Sequence, residues 1–171
     1  MSSKNQFIEF LLNEEKSSFK IVFLCSGNVI RSPFAEFLAR KYVDYPSKQK
    51  LIFESGACTY QNSSILPFTR KWLLKKGFSD KEIRNHNPRL ITNYYDDFFD
   101  TDLFIGMTKE HIAHIKEIFP TKNAYLLKEL VFGKDEDILD PYFNSMMEDQ
   151  IMEELDELIY EFCSLINENL K

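Results

Sequence analysis

In the stretch "IVFLCSGNVIRSPFAEFLAR" (21–40), Cys25 stands six positions before Arg31, with Gly27 and Asn28 between them and Ser32-Pro33 directly after. A cysteine attacks as its thiolate, a form favoured beside cations and at helix N-termini. Gly and Asn tolerate the unusual dihedrals that let successive backbone N–H groups converge on an anion. An arginine fork matches two phosphoryl oxygens, holds the group in line and carries its charge during transfer. Together these residues predict phosphoryl transfer to Cys25 in a nest formed by Ser26, Gly27, Asn28, Val29, Ile30, Arg31 and Ser32. The Ser32 hydroxyl can donate to the thiolate, and serine is equally a residue that caps helices. A plainer reading, with Cys25 as a small buried hydrophobe, leaves Gly27, Asn28, Arg31 and Ser32 as unrelated facts.

Such a site needs a strand that ends at the thiol and a helix that begins at the arginine. Residues 20–24, "KIVFL", form a continuous apolar run of strand length, as in a strand buried on both faces. Ser32-Pro33 opens a helix carrying Phe34, Phe37, Leu38 and Tyr42 at helical spacing. Further strands are predicted at 51–55, 101–107 and 123–127. Helices are predicted from Pro67 to a stop at Gly77, near 92–99, over 109–118 and from Met147 to Leu170. The last has an apolar stripe of Ile151, Leu155, Leu158, Ile159, Phe162, Leu165 and Ile166. Strands alternating with helices imply an α/β fold, a three-layer α/β/α sandwich on a four-stranded parallel sheet with right-handed crossovers. Ligands bind such sheets at the carboxyl ends of strands where the strand order reverses, which is the Cys25 loop if the first strand is central.

Composition narrows the alternatives. The chain has 171 residues, 44% of them hydrophobic, enough for one domain with a real core. A net charge of -6 opposes nucleic-acid binding, and the basic run "TRKWLLKKG" reads as a solvated helix face. Cys25, Cys58 and Cys163 show no Cys-x-x-Cys spacing, so neither a disulfide scaffold nor a thiolate zinc site is expected; reduced thiols imply a cytoplasmic setting. No stretch reaches membrane-spanning length, and residues 1–18 lack the features of a signal peptide. Phe7, Phe10 and Leu11 mark a short amphipathic helix in that N-terminal extension, expected to pack on a domain spanning 19–171. His111 and His114 lie i, i+3 on a helix, but with no matched acidic ligands they are expected to be surface residues, not a metal site.

The run "CSGNVIRSPFAE" resembles the signature loop of the low-molecular-weight protein tyrosine phosphatases, and the likeness continues through "ESGA", the Gly77 helix end, "NHNPRLIT", "DLFIGM" and "DPYF". The resemblance implies strand order 2-1-3-4 and a two-step cycle that needs no metal or cofactor. In that cycle Asp140, before Pro141-Tyr142, protonates the leaving atom and then activates water to hydrolyse the cysteinyl phosphate. It also implies pocket walls from Tyr60, Gln61, Tyr142 and Phe143, and support of the loop by Asn28, Ser32 and His86. A phosphotyrosine-containing protein or peptide would be the substrate, phosphate, arsenate or vanadate would be inhibitory anions, and the protein would be a monomer or weak dimer.

Several positions depart from the family pattern, among them Thr108 in place of a common aspartate and Phe143 in place of a second tyrosine, and two others bear on substrate and oxidation. Val29 replaces the isoleucine usual in tyrosine phosphatases and the threonine of protein-arginine phosphatases. Its apolar branch favours an aromatic ring over a guanidinium that wants hydrogen-bond partners. Ile30 replaces a cysteine that in many relatives protects the nucleophile by a reversible disulfide. The alternatives are a protein-arginine phosphatase, a non-enzymatic phosphotyrosine-binding module or a phosphocysteine carrier. An arsenate reductase would need further cysteines around "HNPRLITNYYDDF", where there are none.

Overall fold

The computed structural model describes residues 1–13, 15–44 and 50–170. Strand β1 (Ser18–Cys25) pairs in parallel with β2 (Lys50–Ala57) on one side and with β3 (Leu103–Gly106) on the other, and β4 (Asn123–Leu126) extends the sheet beyond β3. The order is β2-β1-β3-β4. The fold is therefore a three-layer α/β/α sandwich on a four-stranded parallel sheet, and the strand order reverses at the carboxyl end of β1. Cys25 closes that strand, opposite Ala57 of β2.

Alternation along β1 divides the core between the two faces. Ile21, Phe23 and Cys25 join the larger cluster, which is completed by α1 (Ser3–Leu11), α2 (Arg31–Tyr42), α3 (Pro67–Lys75), α7 (Leu127–Phe132) and α8 (Glu148–Asn169). Val22 and Leu24 join the smaller cluster with Ile91, Phe104 and Phe119, covered by α5 (Tyr95–Phe98) and α6 (Lys109–Ile118). Phe162 of α8 lies edge-on to Phe23 with centroids 5.9 Å apart. It also stacks against Phe7 of α1 at 5.2 Å. Ser2 caps α1 by accepting from the Asn5 N–H, Phe7 and Leu11 are buried, and Phe10 tilts against Phe19 at 4.6 Å. The N-terminal helix thus completes the core above α7 and α8.

The helix before Gly77 ends as its sequence requires. Gly77 takes φ +90°, its N–H reaches the Leu74 carbonyl and Phe78 N–H reaches that of Leu73, the two bonds of a Schellman cap. Several boundaries differ from the sequence reading. The stretch 92–99 is helical only over Tyr95–Phe98, and β3 is shorter than 101–107. Two α-helices were not expected among the described residues: α4 (Asp80–Arg84), opened by a Ser79–Glu82 capping box, and α7, which starts on the residue after β4 and takes Leu127 from it. The long loop before α8 also carries short 3-10 turns at Pro141–Phe143 and Ser145–Met147. Within α8, Met152 and Cys163 are buried and Leu165 is only half-buried, so the stripe is rotated slightly from the predicted one. Among the described residues, no helix is long and apolar enough to cross a membrane.

Candidate active site

The loop between β1 and α2 is fixed from outside by its carbonyls. Cys25 O accepts from Cys58 N–H at 2.9 Å, and Ser26 O from the N–H groups of Thr59 at 2.9 Å and Tyr60 at 3.0 Å. Gly27 O accepts from Asn62 Nδ2 at 2.9 Å, and Val29 O from Thr69 Oγ1 at 2.8 Å and Leu66 N–H at 3.3 Å. With these carbonyls tied outward to residues 58–69, the loop's N–H groups are free to converge on an anion above the start of α2.

Asn28 supports the loop from within. It is fully buried at φ 55°, a left-handed conformation that Asn adopts more readily than most residues. Its two amide hydrogens go to Ser32 Oγ at 2.9 Å and Ser55 Oγ at 2.8 Å, and its Oδ1 accepts from Arg89 N–H at 3.2 Å. Ser55 donates onward to Glu36, whose other oxygen pairs with Arg40 at 2.5 Å. Burial raises the Glu36 pKa against the pull of Arg40. His86 Nδ1 lies 3.7 Å from Glu36, and burial holds its pKa down to about 4 although the Asn28 backbone draws it upward.

Ser32 does not cap the helix, as its residue type had suggested. Helix α2 begins at Arg31, after an Ile30 cap position with no side-chain cap bond. The Ser32 hydroxyl instead accepts from Asn28 and lies 3.0 Å from Cys25 Sγ, where its own hydrogen can go to a thiolate. Arg31, only 3% exposed, donates from Nη1 to the Ile138 carbonyl at 2.9 Å and from Nη2 to Asp140 Oδ2 at 2.8 Å. Asp140 is extended at φ -87°, as the following Pro141 demands, and its Oδ1 accepts from Tyr142 N–H. Cys25 and Arg31 of the loop and Asp140, more than a hundred residues further along the chain, thus line one cleft of about 470 Å³.

The cleft walls include Val29, Ile30, Leu66, Tyr60, Gln61, Tyr142 and Phe143. Tyr60, Tyr142 and Phe143 are exposed on its rim, with the last two rings edge-to-face at 5.0 Å. Gln61 is spent on structure, donating to Pro88 O and accepting from Leu90 N–H. Sequence reasoning assigned no role to Ser55, Glu36, Asn62 or Thr69, although Glu36 and Ser55 fall within the family-like runs. Glu36 had a signal, a carboxylate inside the apolar run "PFAEFLA"; Asn62, in a polar loop, and Thr69, in the first turn of α3, had none.

His111 corrects a further expectation. It is 2% exposed, not a surface residue, because it turns back under the N-terminus of α6 toward the loop. Its Nδ1 accepts from Thr108 N–H at 3.1 Å and its Nε2 lies 3.1 Å from Ser26 Oγ. Among the described residues, no group of three or more His, Cys, Asp or Glu side chains is arranged to hold a metal.

A family model described as low molecular weight phosphotyrosine protein phosphatase matches residues 20–171. The chain belongs to that family. This active site is accordingly a cysteine-based one of the low-molecular-weight phosphatase type, built on Cys25, Arg31 and Asp140. The Protein-arginine-phosphatase of Bacillus subtilis is 27% identical over 152 residues, which are 87% of this chain and 97% of the relative. The low-molecular-weight protein-tyrosine-phosphatase PtpA of Staphylococcus haemolyticus is 30% identical over 138 residues, 75% of this chain and 81% of its own. A crystal structure of a YwlE mutant from Bacillus subtilis superposes with a TM-score of 0.72 at 27% identity, covering 85% of this chain and 97% of that one.

In this low-molecular-weight phosphatase neither spare thiol faces the nucleophile. Cys58 has its backbone against Cys25, but its side chain belongs to the cluster on the other face of the sheet, with Ile91 and Phe98. Cys163 is buried on α8, its sulfur 3.9 Å from the Ala39 carbonyl. Burial raises the pKa of both thiols.

Proposed function

We propose that this chain is a protein phosphatase that cleaves a phosphorylated side chain through a cysteinyl-phosphate intermediate. The observation that carries the reading is the Cys25 sulfur held 3.0 Å from the Ser32 hydroxyl, in a loop whose arginine reaches Asp140 at 2.8 Å. Cys25 attacks phosphorus, and Asp140 protonates the departing atom as the bond breaks. Asp140 then takes a proton from water, which hydrolyses the intermediate and releases phosphate. Arg31 and the loop N–H groups carry the charge of the transferring group, and the cycle as written needs no metal. Asn28, Ser32 and His86 act by holding the loop in shape.

For the acceptor we put phosphoarginine first. A protein-arginine phosphatase is matched along nearly all of its length, and structures of YwlE arginine phosphatase superpose on this chain. A guanidinium is planar and can stack on the exposed rings of Tyr60, Tyr142 or Phe143, with Asp140 beside the leaving nitrogen. Phosphotyrosine is the second reading, favoured by Val29, whose apolar side chain offers no hydrogen bond to a guanidinium, and by the tyrosine-phosphatase relatives.

The test is phosphate release from one peptide carrying phosphoarginine and from its counterpart carrying phosphotyrosine, at matched concentrations, with Cys25→Ser as control and chelator present. Faster release from the phosphoarginine peptide is expected. Faster release from phosphotyrosine returns the acceptor to the second reading. No Cys25-dependent release from either peptide overturns the phosphatase reading and leaves a binding module or phosphocysteine carrier.

A further inference from the structure

We infer that His111 is a positioning residue for phosphoryl transfer, holding the nucleophile loop and the acid loop at a fixed spacing through the turn at residues 107–111. The inference rests on the phosphatase reading above.

The ring's hydrogen bonds decide its tautomer. Because Nδ1 accepts the Thr108 N–H, the neutral ring carries its hydrogen on Nε2, which donates to Ser26 Oγ. Burial, then the charges of Arg31 and His114, push the ring down to about 3, so it stays neutral and this pattern does not switch over the working pH range. Helix capping alone needs only the acceptor at Nδ1; the second bond, to the residue directly after Cys25, lies outside any cap.

The same turn grips the acid loop. Met107 O accepts from Ile138 N–H at 2.8 Å, and Lys109 N–H donates to Asp137 Oδ1 at 2.8 Å. Ile138 in turn offers its carbonyl to Arg31, two residues before Asp140. A continuous set of bonds therefore runs from Ser26 through His111 and the turn to the segment bearing Asp140. Ser26 is clamped from both sides, its carbonyl by Thr59 and Tyr60 and its hydroxyl by His111. Loss of the His111 clamp lets the nucleophile loop shift relative to the acid, and misplacement of reacting groups by about 1 Å can cost on the order of 100-fold in rate.

The test measures kcat/KM, which reports transfer to Cys25, on phenyl phosphate and p-nitrophenyl phosphate for Ser26→Ala, His111→Leu, His111→Gln and the Ser26→Ala/His111→Leu pair. Phenyl phosphate has the poorer leaving group and depends more on Asp140. Ser26→Ala and His111→Leu should each lose about tenfold on phenyl phosphate and clearly less on p-nitrophenyl phosphate. The pair should lose no more than the worse single variant, and His111→Gln, which keeps an acceptor and a donor, should recover part of the loss. A purely structural histidine would lower the unfolding temperature without changing the leaving-group dependence. Ser26→Ala removes no core volume, so the claim stays testable if His111→Leu does not fold. Parent-like kcat/KM within about twofold for Ser26→Ala, or additive losses in the pair, overturns the inference. If the parent shows no Cys25-dependent hydrolysis of these esters or of the phosphoarginine and phosphotyrosine peptides, the phosphatase reading has failed instead. Tungstate titration of parent and Ser26→Ala then decides the positioning claim, with severalfold weaker binding expected and equal affinity overturning it.

Discussion

Replacing Asn28 by alanine asks whether one side chain holds the phosphate nest in shape. At φ 55° a residue with a β-carbon and no local hydrogen bond is strained by about 1–2 kcal/mol, part of which Asn avoids. Alanine also strips the acceptor from the Arg89 N–H, at about 1–2 kcal/mol for a partly buried donor. The two lost donors cost less, about 1 kcal/mol or below each, because Ser55 keeps Glu36 and Ser32 keeps Cys25 and the Gly56 carbonyl. The expected loss is about 3–4 kcal/mol of unfolding free energy, read by urea denaturation at pH 7. Glycine loses the same bonds and sheds the strain, but its unfolded chain gains about 0.5–1 kcal/mol of entropy. Asn28→Gly should therefore be the more stable of the two by about 0.5–1 kcal/mol. Both variants should bind tungstate weakly. An alanine variant within about 1 kcal/mol of the parent, or a glycine variant below the alanine one, would refute the idea that this backbone conformation is maintained by the amide.

Three other outcomes follow from the packing. Phe7→Ala should cost about 3 kcal/mol or more in urea denaturation, since the ring is buried against Phe162; a loss under about 1 kcal/mol would mean α1 is not part of the core. Peroxide followed by dithiothreitol should leave most activity lost, because Ile30 offers no thiol and Cys58 and Cys163 pack elsewhere; full recovery contradicts this. Acid should destabilise the fold through His86, whose folded pKa of about 4 lies below its ordinary 6.5, so that the unfolded chain binds the extra proton and the stability is lost as pH falls through that window. Buried Glu36 works in the opposite sense, its raised pKa adding stability as pH falls. In His86→Gln the slope of stability between pH 6 and 5 should shrink by about 1.2 kcal/mol per pH unit, and an unchanged slope would place the proton uptake elsewhere.

The parts of the site that sequence made legible are those in which residue type and backbone demand coincide. Cys25, Gly27, Asn28 and Arg31 lie in one short loop, where a nest, a nucleophile and a helix start can be read from spacing alone. Asp140 had no such local signal: an Asp-Pro pair is ordinarily a turn, and only the family likeness attached it to a loop more than a hundred residues away. The structure makes the link physical through the Arg31 fork, which bonds both Ile138 and Asp140. His111 was misread for the converse reason. Its spacing to His114 is a property of the helix, whereas its burial is set by where β3 delivers the start of α6, next to β1 in the sheet. Partners chosen across strands leave no periodicity in the chain. The same limit applies to the loop's outward carbonyls, whose captors at residues 58–69 follow β2 and come near only because β2 runs parallel to β1 with Ala57 opposite Cys25. The loop sequence supplies the N–H groups that can face an anion, but it is this register that turns its carbonyls away from the cleft.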